Sequence, residues 1–174
     1  DKPLFSTVHP SVVPGASTQS NASATGLPLN HANIETARLA LELQQTDNGL
    51  AMSMVGKTTL IVPLNREKTG RESLESTLTP ETANNAINVY RGMVDLVASK
   101  FLDSSNGGSN TAWFLVNMGV HQLYHVTRQE KRLEIDVNIR NKVATFTVDA
   151  RWANCAKEYK GTWGSKGDNA SYSS

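Results

Sequence analysis

The sequence has a single cysteine, Cys155, among its 174 residues. A disulfide joins two cysteines, so no disulfide framework can form within the chain, and a reducing compartment is favoured. The sequence also lacks any apolar run that approaches the roughly 20 residues needed to span a bilayer. No signal-peptide pattern follows Asp1, and the absence of an initiating Met there indicates a processed form or a piece of a longer protein. We predict no membrane partner.

Net charge is small as well. Lys and Arg number 17 and Asp and Glu number 16, which leaves a formal charge of +1 at pH 7. Such a balance creates no strong field for attracting nucleic acid or a membrane surface. Hydrophobic residues make up 39% and charged residues 19%, as in an ordinary soluble protein. The length suits one domain with a sizeable core.

The nearest approach to a catalytic motif is a phosphate-loop-like segment, Ala51–Thr58, with Ala51 in place of the first Gly. A phosphate loop needs a helix after it, so that backbone N–H groups and the helix N-terminus face the phosphates. Here Thr59–Pro63 follows, whose β-branched residues and closing proline predict a strand. We therefore favour a loop that enters a strand. A small nucleotide-binding domain that uses Ala51–Thr58 is the alternative from a different functional class.

Other candidate groups lack partners at catalytic spacing. His121 and His125 are four residues apart on a predicted strand, which places them on one face about 13 Å apart. No carboxylate or cysteine is spaced to complete a metal site with them. Cys155 has no base at a recognisable spacing, so a buried or interface thiol is favoured over a nucleophile. We predict no enzymatic activity, no metal and no cofactor.

The first part of the chain predicts an arm and a helix. Residues 1–28 are rich in Ser, Ala, Thr, Gly and Pro without periodicity, which predicts a disordered tail or an extended arm ordered by neighbours. A helix is expected over Asn30–Gln45, capped by Asn30 or Asn33 and ended near Gly49.

The predicted helix carries apolar residues on two sides, which indicates that it packs between two layers. One stripe consists of Ile34, Ala37 and Leu41, and nearly opposite to it lie Leu39 and Leu43.

Most of the following chain predicts β-structure, interrupted by a weak helix and an exposed loop. The weak helix is expected at Asn65–Ser76 and the loop at Thr79–Arg91. Strands are expected at Thr58–Val62, Met93–Phe101, Ala112–Met118 and Val120–Thr127.

The clearest pattern in the sequence is Leu133–Arg140, in which apolar and polar residues alternate without interruption. Asn141-Lys142 can form a turn, and the alternation continues from Ala144 to Trp152. This pattern predicts an antiparallel hairpin with one buried face. Together with the predicted helix it indicates an α+β fold.

Basic and aromatic residues are interleaved near the C-terminus, where Tyr159, Lys160 and Trp163 lie. Stacking on nucleic acid is one interpretation, and a nucleic-acid-binding module is therefore an alternative function. Acidic neighbours such as Glu158 and Asp168 oppose it, and Trp and Tyr are enriched at interface hot spots. We predict that these three residues contact another subunit, and that Trp163→Ala or Tyr159→Ala weakens assembly without unfolding the subunit.

Several segments, taken in order, carry a family resemblance. They are Leu4-Phe5 with the small residues after it, Leu29–Gln45 followed by Asp47-Asn48-Gly49, Thr59–Pro63, Ala112–Val116, and Phe146–Trp152 followed by Tyr159–Gly164. Through them the chain resembles the C-terminal shell-forming region of tailed-phage major capsid proteins of the Hong Kong 97-like fold. The branch it is most similar to is often fused to a prohead protease.

The resemblance implies a long spine helix packed on an antiparallel sheet, with an arm at 1–28, a capsid shell domain at 29–168 and a disordered tail at 169–174. It implies a structural subunit that self-assembles into pentamers and hexamers around packaged DNA, which it does not bind sequence-specifically. The virion would be assembled in the host cytoplasm, where scaffold or portal proteins can be further partners. No cofactor is implied. An encapsulin-like nanocompartment shell is the nearest alternative.

Overall fold

The computed structural model describes residues 3–11, 13, 17–79, 87–170 and 172, and it divides into two units. The first unit is Asp1–His121 with Tyr159–Ser174, and the second is Gln122–Glu158. None of the described helices is long and apolar enough to cross a membrane. The mixed helix and sheet content confirms the predicted α+β class. In chain order the elements are α1 (His31–Glu42), β1 (Thr58–Pro63), α2 (Glu67–Glu75), β2 (Val94–Ser99), β3 (Trp113–Asn117), β4 (Gln122–Asn138), β5 (Val143–Glu158) and β6 (Thr162–Ser165), with 3-10 turns at Leu64–Arg66, Lys100–Leu102 and Ser104–Asn106.

Helix α1 begins where the sequence predicts and ends earlier. The Asn30 side chain accepts a hydrogen bond from the Asn33 amide at 2.8 Å, which is the N-cap interaction that starts the helix. Beyond the other end, the Gln44 side chain donates to the Thr162 carbonyl at 2.9 Å and accepts from the Gly161 amide at 2.9 Å. Gln44 therefore lies past the last residue of α1, where its side chain bonds to the β6 region instead of continuing the helix. Among the described residues no long helix is therefore observed, and the 12 residues of α1 span about 18 Å.

One of the two apolar stripes of α1 is buried. Ile34, Ala37 and Leu41 are at most 1% exposed and belong to the core of the first unit. Leu39 and Leu43 are 50% and 76% exposed. The first unit therefore covers one side of α1, and a second layer over Leu39 and Leu43 stays a prediction.

The first unit is built on a four-stranded sheet in the order β2-β1-β3-β6. Strand β3 pairs with β1 and with β6 in antiparallel fashion, whereas β1 and β2 are parallel. The expectation of an antiparallel sheet is wrong for this last pair. Parallel neighbours need a crossover connection, and α2 lies within it. The helix packs closely on β2, since a Cβ added at Gly70 would lie 2.4 Å from Leu96 Cδ1.

Helix α2 and the 3-10 turn before it occupy the weak helix that was predicted at Asn65–Ser76. Part of the loop expected at Thr79–Arg91, residues 80–86, lies outside the described residues. Toward its described end, Asn88 and Tyr90 are 4% and 6% exposed, and the Asn88 amide group donates to the Ser73 carbonyl at 2.9 Å. The prediction of an exposed loop is wrong for these residues.

Two tryptophans connect the sheet to the rest of the core. The rings of Trp113 in β3 and Trp163 in β6 lie 5.2 Å apart, and the residues are 0% and 4% exposed. The indole N–H of Trp113 donates to the Leu27 carbonyl at 2.9 Å, so this buried polar group is satisfied. The segment before α1 is thereby fixed against the sheet.

The described part of residues 1–28 is extended and contains no helix, as predicted. Ala22 forms a parallel bridge with Gly164 in β6. The Ser23 amide donates to the Gly164 carbonyl at 2.9 Å, and the Gly164 amide donates to the Asn21 carbonyl at 2.9 Å. The expectation that this segment is ordered by neighbouring subunits is wrong for these residues, because β6 of the same chain orders them.

The Asn21 side chain holds the N-terminal segment together. It is 0% exposed, and its amide donates to the Leu4 carbonyl at 2.7 Å and to the Thr162 hydroxyl at 3.1 Å. Its carbonyl oxygen accepts from the Ser6 amide at 3.0 Å and lies 2.8 Å from Nε2 of His9. One buried side chain thus links two parts of the extended segment to β6.

The second unit is the antiparallel hairpin that the sequence predicts. Strands β4 and β5 place Leu133 opposite Val148 and Ile135 opposite Phe146, and their pairing contains three register shifts. Lys142, in the predicted turn, adopts φ 52°. These four apolar residues are 59–65% exposed. The two strands therefore do not cover this face themselves, and its burial stays a prediction.

We expect Asn21→Ala to lower the free energy of unfolding by about 3 kcal/mol, because it leaves buried donors and acceptors unsatisfied. Urea denaturation followed by circular dichroism measures the change. Asn48→Ala, at an exposed position beyond α1, is the matched control and should shift stability by less than about 0.5 kcal/mol. Equal losses in the two variants would contradict the anchoring role of Asn21.

Candidate assembly surface

The half of the hairpin next to the turn has one continuous apolar face. Residues alternate between the two faces of a strand, and directly opposed residues share a face. The register of β4 and β5 therefore puts six apolar side chains side by side, and the five large ones are 57–65% exposed. We call this surface the hairpin apolar face, and it consists of Leu133, Ile135, Val137, Ala144, Phe146 and Val148.

The opposite face of the same half is polar. Arg132 lies opposite Asp149, and Asp136 lies opposite Thr145. Arg132 also forms an ion pair with Glu134 at 2.7 Å, with side chains 68% and 50% exposed. An exposed pair of this kind contributes roughly 0–1 kcal/mol to stability. Its main effect is to keep this face hydrated while the other face remains apolar.

Open strand edges are present in both units. The outer edges of β4 and β5 have no named strand beside them in the described structure, and β2 ends the sheet of the first unit. Exposed apolar residues lie along or beside β2, namely Met93 (46%), Val97 (48%) and Phe101 (74%). Soluble monomers normally blunt or cover such edges, so these edges are additional places for contact with another chain.

The structure places the three predicted interface residues around the start of β6. Trp163 is 4% exposed and lies in the core, and Lys160 is 6% exposed with its ammonium group 2.7 Å from Asp47 Oδ1. Tyr159 is partly exposed, and its ring stacks on that of His9 at 3.8 Å. Trp163 and Lys160 therefore serve the fold of the first unit, which corrects their assignment to a surface contact. The interface role of Tyr159 stays a prediction.

The sequence pattern predicts that the apolar face of the hairpin is buried, and the long edges of the hairpin from Leu133 to Trp152 predict a place of contact with other subunits. The signal that could have identified it is the alternation in Leu133–Arg140 itself. Alternation indicates that one face of a strand is covered. It does not say whether the cover comes from the same chain or from another one.

The phosphate-loop-like segment has the structural context that was predicted for it. Strand β1 begins at Thr58, directly after Lys57, so a strand stands where a nucleotide site would need a helix N-terminus. The Lys57 ammonium group is paired with the carboxylate of Asp95 in β2. This ion pair thus links the residue before β1 to the neighbouring strand β2.

Metal-ligating residues are dispersed. In the part of the chain that the structure describes, no group of three His, Cys, Asp or Glu side chains could hold a metal ion. His31 Nδ1 lies 3.3 Å from the Ser73 carbonyl, and His125 Nδ1 lies 2.6 Å from Asn154 Oδ1. Cys155 is exposed in β5, so a buried position for this thiol is wrong, and an interface position stays a prediction.

A groove of about 400 Å³ lies near the C-terminus of the first unit. Its wall includes Phe114 together with Lys166, Asp168 and Tyr172. Burial, and to a smaller extent the charge of Asp168, raises the pKa of Tyr172 to about 12. The phenol of Tyr172 therefore stays protonated to a higher pH than an exposed tyrosine does.

The family model described as phage capsid protein matches residues 4–163 of the chain. The chain belongs to the phage capsid protein family. Proteins of this kind are structural components of a virion shell, which agrees with the predicted non-enzymatic role. No curated protein matches the chain.

One solved structure similar to this capsid protein is the crystal structure of a virus-like particle from Pyrococcus furiosus. The sequence identity is 15% and the TM-score is 0.40. The similar region covers 80% of this chain and 56% of the other, so the chain spans a little over half the length of that protein.

In this capsid protein, Trp163→Ala should lower the free energy of unfolding by about 3–5 kcal/mol, because it leaves a cavity beside Trp113. Trp152→Ala is the matched control, since Trp152 is 62% exposed on the hairpin. It should change stability by less than about 0.5 kcal/mol. Thermal denaturation decides the question, and a Trp163→Ala variant as stable as the wild type would show that this residue is not a core residue.

Tyr172 should make stability depend on pH under alkaline conditions. Its folded pKa of about 12 exceeds the ordinary 10, so the folded state keeps a proton that the unfolded state loses. The contribution is fully present below pH 10 and is lost as pH rises toward 12. Tyr172→Phe should remove this part of the alkaline loss, measured as urea midpoints over that range. Parallel losses in the variant and the wild type would contradict the raised pKa.

Proposed function

We propose that the chain is the shell-forming region of a tailed-phage major capsid protein of the Hong Kong 97-like fold. It assembles with copies of itself into pentamers and hexamers that form an icosahedral shell around the DNA genome. Membership of the phage capsid protein family supports the shell role. The observation that carries the self-assembly is the hairpin apolar face, whose large side chains the hairpin itself leaves uncovered.

An apolar surface of this size is a liability in a monomer. Monomeric proteins seldom expose contiguous apolar patches larger than a few hundred Å². A two-stranded hairpin is also marginally stable in water unless something packs on it. Contact with a neighbouring copy solves both problems, because it removes the apolar face from water and supports the hairpin.

The electrostatic balance fits a shell that encloses DNA without reading its sequence. The net charge of +1 provides no strong attraction for phosphates. Interior contacts with the genome are therefore weak, and subunit contacts dominate the assembly. We further propose that assembly takes place in the host cytoplasm and that scaffold or portal proteins take part.

The protein should form rings or closed particles at micromolar concentration. Phe146→Ser should weaken each subunit contact by about 2 kcal/mol, because it removes a large apolar side chain from the contact. That loss raises the concentration needed for assembly by more than about tenfold. Thr147→Ser, on the opposite face of β5, is the matched control and should leave assembly unchanged.

Analytical ultracentrifugation and negative-stain microscopy measure both variants. A wild-type protein that stays monomeric at high concentration would contradict the proposed function. Nuclease-protected DNA inside particles isolated from infected cells is the expected cargo. Particles that hold a host protein in place of DNA would favour the nanocompartment alternative.

A further inference from the structure

The outer edge of β6 is paired with the N-terminal segment of the same chain. Ala22 bridges Gly164 in parallel fashion, and the Gly164 amide and carbonyl groups bond to Asn21 and Ser23 at 2.9 Å each. A strand edge with unpaired N–H and C=O groups is a template for pairing with another chain. The N-terminal segment removes that template from β6. We call its described residues, 4–11 and 17–23, the N-terminal cover.

The side chain of Phe5 packs over Gly164. A Cβ added at Gly164 would lie 2.8 Å from Cδ1 of Phe5 and 3.0 Å from Cδ1 of Phe114, the residue opposite it in β3. The centres of the two rings lie 4.9 Å apart. Aromatic rings that fill the space above a strand glycine are a known means of stabilising a sheet edge. Phe5 therefore attaches the cover to β6 at the one residue that leaves room for its ring.

A second ring contacts Phe5 from the C-terminal end of the chain. The centre of the Tyr172 ring lies 5.8 Å from that of Phe5. The Lys166 ammonium group lies 5.5 Å from the centre of the Tyr172 ring. Phe5 is thus in contact with one ring from β3 and one from the C-terminal tail.

The tail also contacts the chain just after the cover. The Asn169 amide donates to the Gly26 carbonyl at 3.0 Å. Gly26 has φ 62°, and a Cβ added there would lie 2.3 Å from the Ala170 carbonyl oxygen, so the two backbones are in direct contact. The tail therefore touches the N-terminal part of the chain on both sides of the β6 pairing. We call its described residues, 166–170 and 172, the C-terminal latch.

The part of the cover that pairs with β6 has little apolar contact of its own. Residues 17–23 are Ser, Thr, Gln, Asn and Ala, without a large apolar side chain. Segments with few buried apolar contacts open locally at a low free-energy cost. The ring contacts of Phe5 are therefore the apolar attachment of the cover, and one of the two depends on Tyr172.

We propose that the C-terminal latch holds the N-terminal cover on β6, and that opening of the latch frees the β6 edge to pair with a second copy of the chain. Strand edges are usually blunted by charged residues or proline, and Thr162–Ser165 contains neither. The contacts that form this device all lie within the first unit. It controls association through β6 and is separate from the shell contact proposed for the hairpin.

Amide hydrogen exchange tests the latch. Tyr172→Ala should speed exchange at the Gly164 and Ser23 amides about tenfold, because the cover loses a ring contact and opens more often. The Asn117 amide, which donates to the Gly161 carbonyl at 2.8 Å, should keep its rate, because this bond does not involve the cover. Tyr172→Phe retains the ring and is the matched control, with rates like those of the wild type.

Unchanged exchange at Gly164 in Tyr172→Ala would overturn the latch. A parallel increase at Asn117 would show that the whole unit is opening, and it would overturn the latch as well. Phe5→Ala provides an independent variant and should give the same increase at Gly164. The double variant should add no further increase, since the two rings act through one contact. Additive increases would mean that Tyr172 does not act through Phe5.

Low-speed pelleting tests the consequence for association. Tyr172→Ala should pellet more than Val94→Ala, a core variant in β2 at the other end of the sheet, where Val94 is 5% exposed. An excess of synthetic peptide with the sequence of residues 3–24 should return Tyr172→Ala to the wild-type level, because the peptide covers β6 in trans. A scrambled peptide should have no effect. Equal pelleting of the two variants, or equal effects of the two peptides, would overturn the role of the β6 edge.

Discussion

The pairing of β6 with β3 is the constraint on which the first unit depends. The chain leaves this unit after His121 and returns at Tyr159, and β6 is the strand that it forms on return. The β6 region then receives the N-terminal segment at Gly164 and the Gln44 side chain at Thr162. Three distant stretches of sequence are joined through four residues, all of them buried. Loss of this strand would remove the hydrogen bonds that Asn21, Ser23 and Gln44 make to it.

The two units differ in how many of their side chains have partners inside the chain. In the first unit the buried tryptophans, Asn21 and Lys160 have hydrogen-bond or ring partners inside the chain. In the hairpin, backbone pairing is extensive but the apolar side chains are exposed. The proposed assembly would cover this apolar area, and burial of apolar surface is a favourable contribution to association.

Local sequence patterns predicted the helix start and the hairpin well. The contacts between residues distant in sequence could not be predicted from such patterns. The cap at Asn30 and the alternation of Leu133–Arg140 depend on neighbours within a few residues, so the helix start and the hairpin were predictable. The parallel pairing of β1 with β2 and the bridge from Ala22 to Gly164 join distant residues with no local signal. The candidate surface was misassigned for a related reason. Aromatic composition drew attention to Trp163, whereas burial depends on the fold as a whole.

The alternation of apolar and polar residues also determines which face of the hairpin is apolar. Side chains along a strand have a period of two, so a slip of one residue would move every apolar group to the opposite face. Arg132, Glu134 and Asp136 would then take the place of the leucine and isoleucine that now face one way. The turn and the bulges of β4 hold the correct register against that slip. The register of the hairpin therefore decides which of its two faces is apolar and which is hydrated.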